Sequence, residues 1–204
     1  MLRRRELMAK QQGSSLLPTG YTAVKYVSCN QAKSKYKAGI ATGVLSNNVF
    51  GVKVSFCWTD DQNATAAFLL FTGKSGDGQN VTTPFWYVAY TVSTYNIKFA
   101  NGCIVNNHTV VHNDDYVTIS FDISKTKSGY FNFGCWQDHQ WSPNWKLYEL
   151  ILYGESGEEL FHGIPCLNES NVPGCYDTVS KTFKGSIVGT FGYELFDGTI
   201  VNPT

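Results

Sequence analysis

The chain has 204 residues, 43% hydrophobic and 15% aromatic against 16% charged, a balance that excludes charge-driven disorder and suits one domain built around a single core. Lys+Arg and Asp+Glu cancel at 16 each, so no global field steers the chain to nucleic acid or to a membrane surface. No apolar run approaches the ~20 residues that a bilayer span needs.

Residues 1–17 differ in character from the rest. Arg3, Arg4 and Arg5 form a basic cluster, Leu2, Leu7 and Met8 supply apolar anchors, and Gln11-Gln12-Gly13-Ser14-Ser15 reads as a flexible linker. A helix this short is marginal in water without a partner, so the stretch is expected to be an anchoring arm that docks on another protein. The basic start MLRRRELMAK is not followed by an apolar stretch of the kind a secretory signal carries. Export by that route is therefore not expected.

From residue 18 to 204 the pattern is β. Val49–Trp58, Phe85–Val92, Tyr95–Ala100, Cys103–Val111, Tyr116–Ile123, Tyr130–Cys135, Trp145–Tyr153 and Glu159–Ile164 are rich in Val, Ile, Thr, Tyr and Phe and are separated by turn residues. Val52, Val54, Phe56 and Trp58 alternate with Lys53, Ser55 and Cys57, which predicts one core-facing and one wetter side. Asn101-Gly102 is a type I′ hairpin signal. About a dozen short strands without a helical period predict an all-β fold, a two-sheet antiparallel jelly-roll sandwich carrying a short N-terminal arm.

Cys29, Cys57, Cys103, Cys135, Cys166 and Cys175 contain no CxxC pair and read as reduced, half-buried thiols. The N-x-S/T sequons at Asn63, Asn80, Asn107 and Asn168 are what a chain rich in Asn and Thr produces by chance.

Glycan hydrolysis on a strand would need carboxylates at i, i+2 or i+4, which share a face. The acids stand instead at Asp60-Asp61, Asp114-Asp115 and Glu155 to Glu159, beside turns, where they solvate or cap. Cys103, His108 and His112 lack the spacing of a zinc site, and no G-x-S-x-G elbow occurs. The chain is accordingly read as a non-enzyme without a resident cofactor. Asp60, Asp61 and Asn63 share one turn and could offer hard oxygen ligands to Ca²⁺, or bond their own backbone.

The densest chemistry lies in GCWQDHQWSPNW, Gly134 to Trp145, which holds three of the five tryptophans. Sugars lay apolar C–H faces on aromatic rings while polar side chains bond their hydroxyls, and Trp136, Asp138, His139, Gln140, Trp141 and Asn144 supply both kinds of group. The competing reading places the indoles in the core or in a subunit interface. Trp145 opens a strand and is expected to pack; Trp141, before Ser142-Pro143, is the expected exposed ring.

The two ends of the β region resemble a known set of domains. LPTGYTAVKYVSCNQAKSKYKAGI, Leu17 to Ile40, is similar to the opening of concanavalin A-like, LamG-type jelly rolls of phage virion proteins and gut-bacterial surface proteins, usually L-P-x-G-Y-T-x-V-E-Y-I followed by Y-I-D-T-G-I. The ending of that family resembles Lys146-Leu147-Tyr148, Ile164-Pro165-Cys166, Gly174-Cys175-Tyr176-Asp177 and Gly189-Thr190-Phe191, in this order. The chain departs from the pattern at Lys25 for Glu, at Lys37-Ala38-Gly39 for Asp-Thr-Gly and at Leu167 for Arg.

The resemblance implies a phage structural protein, a head fibre, capsid-decorating or tail fibre component at the virion surface, made in the cytoplasm of the bacterial host. It further implies a phage of gut Bacteroidetes of the crAss-like kind. Other virion proteins would bind residues 1–17, the domain would form a trimer or dimer, and host or mucosal glycans would be its ligands, with neither nucleic acid nor membrane as partner. The alternative is a carbohydrate-binding, lectin-like module of a bacterial surface protein.

Overall fold

The computed structural model describes residues 15–29, 39–58, 67–68, 70–73, 87–91, 96–100, 104–125, 129–134, 145–187 and 189–202, with the backbone path alone for the strands between 67 and 100. The strands in chain order begin with β1 (Thr22–Ala23), β2 (Tyr26–Cys29), β3 (Ile40–Leu45), β4 (Gly51–Trp58), β5 (Ala67–Phe68) and β6 (Leu70–Gly73). Next come β7 (Tyr87–Thr91), β8 (Asn96–Ala100), β9 (Ile104–His112), β10 (Val117–Lys125) and β11 (Tyr130–Phe133). The C-terminal part adds β12 (Trp145–Tyr153), β13 (Glu159–Leu167), β14 (Pro173–Asp177), β15 (Thr182–Gly185), β16 (Gly192–Glu194) and β17 (Ile200–Val201).

The protein is all-β, and among the described residues every ladder is antiparallel. An 11-stranded sheet follows the path β15-β14-β13-β12-β2-β16-β17, with β4, β10 and β9 continuing from the other side of β12 and β1 joined to β13. Two three-stranded sheets, β3-β11-β6 and β5-β7-β8, accompany it.

The period-two pattern of β4 explains where the core sits. Val52, Val54 and Phe56 are buried, and their register partners Leu152, Leu150 and Leu147 on β12 and Phe121, Ile119 and Val117 on β10 continue the same apolar side. Ile40, Phe131 and Phe133 of the β3-β11-β6 sheet belong to the same buried cluster, so the two sheets share one core. Burying an apolar side chain of this size contributes roughly 1.5–3 kcal/mol, which is why the alternation and not local propensity decides the register.

The Asn101-Gly102 hairpin signal lies outside the described residues; among those described, β8 pairs with β7 and β9 with β10. Half-buried Val110 of β9 lies opposite buried Ile119 of β10 and adds apolar cover to the large sheet. One detail differs from the sequence expectation: the strand beginning at Glu159 runs on to Leu167, because its second half is needed as the seam between β1 and β14.

Candidate functional site

The ligand residues expected from sequence, Trp136, Asp138, His139, Gln140, Trp141 and Asn144, lie outside the described residues. So do Asp60, Asp61 and Asn63, and the arm residues Leu2, Arg3, Arg4, Arg5, Leu7 and Met8. The two ends of the tryptophan stretch are described. Trp145 is buried, its indole N–H donates to the Gly134 carbonyl at 3.2 Å, and its ring meets Phe133 edge-on at 5.0 Å and Phe191 at 5.8 Å. Gly134 has φ +86°, and a Cβ there would stand 2.5 Å from the Trp145 ring, so only glycine fits.

Trp145 is also in register with Trp58 of β4 on one side and Cys29 of β2 on the other. The attachment points of segments 30–38, 59–66 and 135–144 therefore stand side by side at one end of the large sheet.

The most organised polar chemistry among the described residues covers the outer side of that sheet, the face opposite the core. A register shift in β12 pairs Leu147 with Phe56 and then Glu149 with Ser55, leaving Tyr148 as an extra residue. Its ring stacks on Tyr116 at 4.6 Å and leans on Tyr26 at 5.4 Å, while the Lys146 ammonium lies 4.4 Å over Tyr26. Lys25 closes this end with Asp115 at 3.4 Å and Glu194 at 3.5 Å.

One turn of the bulge further, an ionic row crosses three strands. Glu149 takes the Lys53 ammonium of β4 on one carboxylate oxygen at 2.8 Å and Nε2 of His162, on β13, on the other at 3.2 Å. Nδ1 of His162 stands 3.2 Å from the Glu159 carboxylate. Ser55 and Thr118 share a hydroxyl hydrogen bond of 2.9 Å beside it.

These neighbours set the protonation states. Burial pushes the Glu149 carboxyl up, but the hydrogen bonds from His162 and Lys53 outweigh it and bring it down to about 2. The bond to Glu149 raises His162 against its own burial. Burial pulls Lys25 down, and Glu194 and Asp115 more than restore it. Burial raises the Tyr26 and Tyr148 phenols and the Cys57 thiol, which the Lys146 charge only partly offsets. The face thus presents fixed charges and the half-covered rings of Tyr116 and Tyr148, able to hold polar groups by ring contact and charge-assisted hydrogen bonds. Glu149, committed to two cations, is an acceptor and no proton donor.

The motifs at the two ends of the β region are structural and meet in space. Gly20, at φ +89°, turns the chain so that the Tyr21 N–H donates to Pro18 O. Tyr21 then sets its ring edge-on to Tyr176 at 5.5 Å and to Phe183 at 6.0 Å. Thr22 and Ala23 pair with Leu167 and Cys166. Asp177 accepts from the backbone N–H groups of His162, Val179 and Ser180, which holds the β14–β15 turn.

Of the described cysteines Cys57 is half-buried as expected, whereas Cys29, Cys166 and Cys175 are buried, because their strands lie inside the sheet. Among the described residues no group of three His, Cys, Asp or Glu gathers as a metal site, and no helix is long and apolar enough to cross a membrane. No known protein family, curated protein or solved structure matches the chain.

Sequence reasoning placed Lys53, Ser55 and Cys57 on the wet side of β4 but did not single out Tyr116, Tyr148, Glu149 or His162. Alternation could have pointed to Tyr148 and His162, but not to Glu149, because the register shift at Tyr148 breaks the period of two.

Proposed function

We propose that the protein is a non-enzymatic structural component of a phage virion, a head fibre, capsid decoration or tail fibre part. Residues 1–17 attach it to the particle, and residues 18–204 form a concanavalin A-like jelly roll that meets host or mucosal glycans at the virion surface. The observation that carries this reading is the meeting of the opening and closing motifs: Tyr21 of L-P-T-G-Y packs on Tyr176 of G-C-Y-D, and β1 pairs with the I-P-C strand. Residues about 150 positions apart that resemble one family are then parts of one scaffold. Two antiparallel sheets sharing one core are what such a jelly roll requires.

In this reading the arm adds contacts to a neighbouring virion protein, and a trimer or dimer multiplies weak glycan contacts into avidity. Gly134 and Trp145, which bound the tryptophan stretch in the sequence, meet at one end of the large sheet, and Trp141 is the residue to test between them. Deletion of residues 1–15 is expected to leave a folded domain that no longer enters particles; normal incorporation would overturn the anchoring role. On an array of host and mucin glycans, binding that Trp141→Ala abolishes supports ligand display, and binding to no glycan reduces the reading to a purely structural one.

A further inference from the structure

We infer that His162 is a proton-held latch: as an imidazolium it bridges Glu149 and Glu159, tying β12 to the start of β13, and on losing its proton it lets go of Glu159. The inference stands apart from the proposed virion role. It rests on the arrangement around one ring. Both ring nitrogens face carboxylate oxygens, Nε2 toward Glu149 and Nδ1 toward Glu159, each at 3.2 Å. A neutral imidazole has one N–H, so one of these contacts would set a lone pair against a carboxylate; only the protonated ring donates to both.

The other groups packed around the ring decide which contact yields. From β4, Lys53 holds the second oxygen of Glu149 at 2.8 Å, so Glu149 keeps a cation when the ring becomes neutral. From β14, Asp177 accepts the His162 backbone N–H at 3.0 Å, and the Thr178 N–H donates to the His162 carbonyl, which fixes the backbone whatever the ring's charge. Tyr153 lies within the fields of Lys53, Glu159 and Glu149, and burial raises its phenol, which stays neutral over the range concerned; the Tyr116 ring lies within the field of Lys53. Glu159 is more exposed than Glu149, 41% against 31% of its side chain, and is the first residue of β13. The Glu159 contact is therefore the one released.

Its release acts where the ladder is already irregular. Tyr153 pairs with Glu159 after a register shift, and the turn that follows is closed by the Gly154 N–H to Glu158 O and by the Glu158 carboxylate on the Ser156 N–H. The sign follows from the raised proton affinity of His162. The latch is fully closed below the ordinary histidine value of about 6.5 and opens as the pH rises through the folded-state midpoint.

The test is a pH titration of the imidazole ¹⁵N shifts in the full chain, with His162→Gln used to assign the ring among the four histidines. The expected result is a doubly protonated His162 below neutrality, a midpoint above about 6.5, and faster amide exchange at residues 159–161 above that midpoint. Glu159→Gln, a change at the rim that leaves the fold intact, is expected to lower the midpoint. A ring that is a single neutral tautomer at pH 6, or a midpoint that Glu159→Gln leaves unmoved, overturns the latch.

Discussion

The two sides of the large sheet are built by the same strands and obey different rules. On the inner side of β4, β10 and β12, Val54, Phe56, Ile119, Leu147 and Leu150 are almost wholly covered, and their arrangement is decided by volume. On the outer side Lys53, Glu149 and His162 are half-covered, and their arrangement is decided by which charge can reach which. Ser55 is buried on that outer side only because Thr118 satisfies its hydroxyl. The inner face should accordingly respond to shape and ignore pH, while the outer face responds to pH.

The largest effect is expected from Phe56→Ala. Phe56 sits opposite Leu147 and Val117 in the shared core, so the substitution is expected to cost about 3–5 kcal/mol of unfolding free energy, measured by urea denaturation, with no dependence on pH. A loss below about 1 kcal/mol would mean that the inner face is not packed as described.

Glu149→Gln separates the faces most clearly. Its carboxyl is held at about 2 against an ordinary value of 4.5, so its contribution is fully present above about 4.5 and fades as the pH falls toward 2. The variant is expected to be less stable at pH 7 by about 2–3 kcal/mol, since it also leaves Lys53 and His162 without their shared acceptor. The difference from the parent chain should shrink on acidification below 4.5. A difference that is the same at pH 3 and pH 7 would remove the ionic row from the account.

The smallest effect belongs to Lys25→Ala. Asp115 is 55% exposed and the pair distances are 3.4 and 3.5 Å, so water and salt screen the interaction. Less than about 1 kcal/mol is expected, falling further in high salt. A larger loss would give this rim the weight here assigned to Glu149.

The inner face was legible in the sequence from single strands: Val52, Val54 and Phe56 against Lys53, Ser55 and Cys57 is enough to orient β4. Trp145 as a packed residue followed from its place at a strand start. The turn role of Glu158 was legible too, since its carboxylate caps the Ser156 turn. The ionic row was not. Glu149 reaches Lys53 and His162 because β12 slips its register at Tyr148 and lies between β4 and β13, and both facts depend on pairings between strands far apart in the chain. Glu159, read as a turn acid, turns out to be a histidine partner for the same reason.

The short ladder between Thr22–Ala23 and Cys166–Leu167 has a mechanical side. A tug on the chain at residue 15 is met first by Tyr21, wedged against Tyr176 and Phe183, and by that ladder on β13, an interior strand. Behind it stands β2, gripped along its length by β12 on one side and β16 on the other. Load entering at residue 15 is thus spread as shear into the middle of the sheet, where several hydrogen bonds must fail together, and does not peel a strand from an edge one bond at a time.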